Sequence, residues 1–146
     1  MGVEYKTVLL AIDGSEASRH AFRKAVEITK HNNGTLIISH VIDYSAFSAM
    51  ESYNHSTVLR IEEYANTLLT NFKQQALEAG VQNVILNLDY GSPNVKISKV
   101  VAPRHKADVI VCGATGLNPI KRLFLGSVSE HIVRNAKVDV LVVRPS

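Results

Sequence analysis

The sequence predicts a doubly wound α/β fold: one five-stranded parallel sheet with helices on both faces. Short β-rich runs alternate with long stretches at helical spacing, the order that parallel crossovers require. The first run, "TVLLAI" (7–12), is apolar without alternation, the pattern of a strand covered on both sides. Polar or glycine-rich segments follow the strands: "DGS" (13–15), "HVID" (40–43), "DYGS" (89–92) and "GATG" (113–116). In such sheets ligands bind outside the carboxyl ends of the strands, where strand order reverses. A site is therefore expected at these segments, although one sequence does not give the strand order.

The elements follow in order. After "TVLLAI", Ser15 is placed to cap a helix and Glu16 lies in its first turn, where the helix dipole favours an acid. Ala17, Ala21, Ala25 and Ile28 keep helical spacing up to "NNG", with Gly34 as the terminator. "TLIISHVI" (35–42) reads as the second strand, and 43–56 are irregular. Val58, Ile61, Ala65, Leu68, Leu69, Phe72 and Ala76 mark a long amphipathic helix ending at Gly80. "NVILNLDYG" (83–91) is the third strand. Ser92 then caps a helix with Pro93 at its first position, and Pro103 stops that helix or sits in its last turn. "ADVIVCG" (107–113) is the fourth strand, "SEHIVRNA" (129–136) a fourth helix and "VDVLVVRP" (138–145) the last strand.

With 146 residues the chain is expected to form one domain, 1–146, large enough for one true core. Its net charge of +3, with acids and bases mixed, is too mild to argue for nucleic acid, so no nucleic-acid partner is expected. A single cysteine, Cys112, excludes an internal disulfide and reads as a small buried hydrophobe inside "VIVCG". No Cys/His cluster has zinc spacing. The N-terminus has no signal-peptide pattern, no run is long enough to span a membrane, and Lys6 breaks the myristoylation pattern. A soluble, cytoplasmic protein without a membrane partner is expected.

The stretch 111–136 concentrates three of the eight glycines, Gly113, Gly116 and Gly126, and follows the last with Ser127, Val128 and Ser129. Glycines let backbone N–H groups approach a ligand, and a helix start offers free N–H groups and partial positive charge, a seat for phosphate. Hydroxyls at 127 and 129 can add hydrogen bonds. The spacing fits neither the Walker pattern nor the dinucleotide fingerprint. Equally, Ser127-Val128-Ser129-Glu130 fits a capping box, Ser127 capping and Glu130 reaching back. The residues alone leave both readings open.

The chain resembles the ATP-binding branch of the universal stress protein family. The resemblance spans its whole length and rests on "VLLAIDGSEAS", "SHVID" and G-x2-G-x9-G-[ST], filled by Gly113, Gly116, Gly126 and Ser127. It implies a Rossmann-like fold of the adenine nucleotide alpha hydrolase type. It also implies roles at matching positions. Asp13 lies near the nucleoside with Ala11 and Ile12 lining it, and Val41 meets the adenine through its backbone. Gly113 and Gly116 border the ribose and phosphates, with Cys112 beside them. Gly126, Ser127, Val128 and Ser129 wrap the phosphates, with Mg2+ or Mn2+ bridging phosphate oxygens rather than bound by protein side chains. A homodimer through the last strand, 138–144, is implied as well.

Three functions compete: a nucleotide-dependent regulatory switch, a slow ATPase or phosphotransferase, and a dimeric interaction module with a vestigial pocket. Hydrolysis needs a group to position water and charge to stabilise the transition state. No His-Asp or paired-carboxylate constellation can be assigned around the loop. His131 reads as helix surface, His105 as surface, and His40 faces either pocket or core. The glycine pattern is intact, which disfavours a vestigial pocket. The regulatory reading is preferred, with ATP or another adenine nucleotide as ligand.

Overall fold

In a computed structural model describing residues 4–43, 55–115 and 125–145, the chain alternates strands and helices as expected. The strands are β1 (Thr7–Ala11), β2 (Thr35–Ile42), β3 (Asn83–Tyr90), β4 (Val109–Gly113) and β5 (Asp139–Val143). Between them run α1 (Glu16–His31), α2 (His55–Glu78), α3 and α4 (Ser127–Asn135). Helix α3 is one helical run built from Pro93–Lys96, a π-helical segment Ile97–Val101, and Ala102–His105. All pairings are parallel and the order is β3-β2-β1-β4-β5.

The non-alternating apolar strands are explained by a core on each face of the sheet. Val8 and Leu10 of β1 pack with Ala21, Phe22 and Ala25 of α1 and with Leu69 and Phe72 of α2. Their neighbours Leu9 and Ala11 point the other way, into a core shared with Ile97 and Val101 of α3 and Ile132 of α4. Val8, Leu9 and Leu10 have no exposed surface. Each such side chain contributes about 1.5–3 kcal/mol of burial free energy, so both helical layers are needed to keep the central strands dry. The rings of Phe22 and Phe72 join α1 to α2 at a centroid distance of 4.8 Å.

Local signals held in most places. Ser15 caps α1 through its hydroxyl, which accepts from the Ser18 N–H at 3.2 Å. Pro93 occupies the first turn of α3, and Pro103 sits inside its last segment. At the end of α1, however, Asn33 rather than Gly34 takes the left-handed conformation, at φ 51°. Asparagine tolerates that region, and the Asn33 N–H donates to the Lys30 carbonyl at 3.2 Å. Helix α4 begins at Ser127, two residues earlier than its apolar pattern suggested.

Candidate functional site

Chain direction across the sheet reverses between β1 and β4. From β1 the chain moves outward through β2 to β3, and from β4 it moves to β5 on the opposite side. The first turns after these two neighbouring strands diverge and leave a cleft of about 260 Å³ between them. Ala11, Ile12 and Asp13 border it at the end of β1, Val41 from β2, and Cys112 and Gly113 from β4. Gly126, Ser127, Val128 and Ser129, at the start of α4, close its far side. Ten of the eleven expected site residues thus surround one cleft, while Gly116 lies outside the described residues, as do Lys121 and Arg122, two cations of the loop between Gly116 and Gly126 that are not among the eleven.

The Asp13 turn is held by its own side chain. Asp13 Oδ1 accepts from the Ser15 N–H at 2.9 Å and from the Ser18 hydroxyl at 2.7 Å, while Ser18 Oγ accepts from the Asp13 N–H at 2.9 Å. Gly14 adopts φ +83°, which the turn between Asp13 and the Ser15 cap requires of it. This turn fixes one carboxylate at the cleft wall, its Oδ2 bonded to none of the described residues. The ring of His40 stands behind the wall, Nδ1 lying 2.9 Å from the Ile12 carbonyl. Because a carbonyl only accepts, Nδ1 carries the proton. His40 therefore supports the backbone of Ile12 and is absent from the cleft lining.

At the other wall the capping-box expectation is corrected. Gly126 is the N-cap, at φ −68° and ψ 165°, and Ser127 is already the first helical residue. Glu130 does not reach back: its Oε1 pairs with Arg134 at 2.8 Å. The first ladder bond runs from the Glu130 N–H to the Gly126 carbonyl at 3.0 Å, so the N–H groups of Ser127, Val128 and Ser129 precede the ladder. The two serines differ. Ser127 is exposed, whereas Ser129 is buried and its hydroxyl donates to the carbonyls of Ala114 and Gly126, both at 3.0 Å. Its proton is thus committed to joining the strand exit to the helix start, a bracket that the Gly126 N–H reinforces by donating to the Ala114 carbonyl at 2.7 Å.

Gly113 also has a reason different from ligand approach. A Cβ there would stand 2.6 Å from the Cβ of Ala17 and 2.8 Å from its carbonyl carbon and oxygen. Close packing of α1 on β4 accounts for this glycine. Cys112 matches its reading as a hydrophobe, since burial pushes its thiol up to about 12 and keeps it neutral at physiological pH. Among the described residues, four more line the cleft: Ser18, Pro93, Ile97 and Thr115. Thr115 lies inside "GATG" and Pro93 directly after "DYGS", so the rule about strand ends pointed at both. Ser18 and Ile97 carry no such signal. Among the described residues no three His, Cys, Asp or Glu side chains cluster as a metal site.

Fold and cleft together define a class, the doubly wound α/β proteins with a cleft where strand order reverses. The universal stress protein family matches residues 4–144, and the chain belongs to it. It is 43% identical over 140 residues to a universal stress protein relative from Staphylococcus saprophyticus, covering 96% of this chain and 84% of that one. The universal stress protein UspA from Lactobacillus plantarum superimposes with a TM-score of 0.87 at 28% identity, over 98% of this chain and all of the other. A universal stress protein solved in complex with cAMP gives a TM-score of 0.77 at 30% identity, over 99% and 100% of the two chains.

Proposed function

We propose that this chain is an adenine-nucleotide-binding regulatory protein of the stress response, a cytoplasmic homodimer whose state depends on the nucleotide it holds, with ATP as the principal ligand. The observation that carries this reading is the start of α4, where three N–H groups ahead of the helical ladder border the same cleft as an apolar wall. Phosphate oxygens suit the first and an adenine ring suits the second. A universal stress protein at 30% identity was solved in complex with cAMP, which supports an adenine nucleotide as the class of ligand.

In this reading Val41, Ile97 and Cys112 receive the base, Asp13 addresses the ribose through its open Oδ2, and Ser127 to Ser129 hold the phosphates through their N–H groups. Gly116 belongs to the same set through the family pattern. Mg2+ or Mn2+ rides on the phosphates and neutralises their charge. Asp13 and Cys112 are the ionisable side chains among the described lining residues, and the thiol is neutral. With so little to activate water, turnover is far below the roughly 10 per second typical of enzymes. The ligand acts by occupancy, and β5, paired with β4 and last in the strand order, supplies the edge for dimer formation.

The direct test is the ultraviolet spectrum of the purified protein, with chromatography of what it releases on denaturation. The chain has no Trp and five Tyr, so its own absorbance is weak and bound adenine dominates near 260 nm. Released ATP or another adenine nucleotide supports the proposal. A protein that carries none and gains none on incubation with Mg-ATP refutes it.

A further inference from the structure

A second groove lies on the α3/α4 face, at the opposite end of the sheet from the nucleotide cleft. It measures about 520 Å³ and runs between the later part of α3 and the α4–β5 connection. Lys99, Lys106 and Lys137 line it together with the apolar side chains of Ala102, Pro103 and Val138. All three lysines are exposed, and none has a carboxylate partner among the described residues. The two carboxylates nearest in sequence are turned elsewhere. Asp108 Oδ2 accepts from the N–H groups of Lys6 and Thr7, and Asp139 Oδ2 accepts from the Tyr5 hydroxyl.

The second observation is Ser98, which lines the same groove. It is 5% exposed, and its Oγ is the one buried side-chain polar atom among the described residues without a hydrogen-bond partner. A helical serine ordinarily donates to the carbonyl four residues back. Ser98 sits instead in the π-helical segment, a distortion often found at functional sites. Buried hydroxyls are rarely left unpaired without a reason.

We infer that this groove binds a soluble phosphate monoester with a small apolar or aromatic group. Three ammonium groups match a phosphate monoester, which carries about −1.5 to −2 at neutral pH, better than a single carboxylate. The Ser98 hydroxyl donates to the ligand, and the apolar lining residues take its organic part. The site is separate from the nucleotide cleft. Ile97 lines one and Ser98 the other, so α3 touches both ligands through adjacent residues.

Titration of the full chain with phenyl phosphate, followed by amide chemical shifts, tests this. Saturable shifts are expected at Ser98, Lys99, Lys106 and Val138, with inorganic phosphate binding more weakly. Lys99→Gln with Lys137→Gln should weaken binding about tenfold or more, as loss of two charged contacts does. Ser98→Ala should weaken it too while leaving the free protein as stable or more so, since an unmade bond is removed. The inference is overturned if shifts at the groove fail to saturate. It is equally overturned if the lysine variant, or a folded Ser98→Ala, binds phenyl phosphate as tightly as the wild type.

Discussion

Gly113 lies against the backbone of Ala17, so close that a methyl group at 113 would overlap the Ala17 carbonyl carbon and oxygen at 2.8 Å. This contact lets the first turn of α1 settle on the end of β4 and so brings the Asp13 turn and the α4 start to face each other. The obstructing atoms are backbone, which cannot rotate away. Gly113→Ala should therefore cost about 1–3 kcal/mol, the usual scale of overpacking. Urea unfolding measures it, and an unchanged midpoint would show that α1 shifts freely.

Ser127 and Ser129 should respond in opposite ways. Ser129→Ala removes the hydroxyl that joins Ala114 to Gly126 inside the protein, and about 1–3 kcal/mol of stability should go with it. Ser127→Ala, at an exposed position, should stay within about 0.5 kcal/mol of the wild type. Thermal melts of the two free variants check this contrast.

Asp13→Ala should loosen the turn after β1, because one carboxylate oxygen holds both the Ser15 N–H and the Ser18 hydroxyl. Asp13→Asn keeps an acceptor and should lose less stability. In the proposed function both variants bind nucleotide more weakly. Paired calorimetric titrations and melts separate the two effects.

A polar cluster beneath α3 sets an acid limit. Burial alone would raise the Asp89 carboxyl, but hydrogen bonds from Asn87 and Arg104, with the charges of Arg104 and Lys96, outweigh it and hold Asp89 below its usual value. A depressed folded value stabilises the fold above the unfolded value, about 3.9. That contribution disappears as pH falls through the lower, folded value. Arg104→Gln should shrink this acid-sensitive portion of stability, and melting curves between pH 6 and pH 3 would display it.

The sequence made the fold legible because the apolar strands and the helical spacing of the segments between them signal independently, although of the expected serine caps Ser15 makes its side-chain bond and Ser92 does not. Strand order was hidden, since nothing in "TVLLAI" or "ADVIVCG" says that β1 and β4 are neighbours. Nearly all of the cleft was legible through its strand ends and the family pattern. The reasons for individual residues were not. Gly113 answers to Ala17, which is remote in sequence, and Ser129 answers to a carbonyl fifteen residues away. His105 read as surface, yet Nε2 lies 3.1 Å from the Asn87 side-chain oxygen, a contact that needs the folded sheet to exist.

Assembly has its own test. If β5 pairs with its counterpart across a two-fold axis, sedimentation at micromolar concentration should give a dimer. Val140 and Val142 also pack against the core of their own protomer, so lysine there would disturb both fold and pairing. Replacing a single backbone donor of β5 with an ester is cleaner, and it should favour monomers with little change in secondary structure. A wild-type monomer would rule the edge-pairing out.

The most direct measurement is ATP affinity in Ser127→Pro. Proline is well tolerated at the first helical position, and Gly126, at ψ 165°, already has the extended backbone that precedes proline. The variant should keep its fold and lose one N–H donor and one hydroxyl at the α4 start. If that helix start holds phosphate, calorimetry with Mg-ATP should show affinity reduced about tenfold or more, the scale of a lost hydrogen bond to a charged group. A folded Ser127→Pro that binds Mg-ATP as tightly as the wild type would contradict the phosphate site.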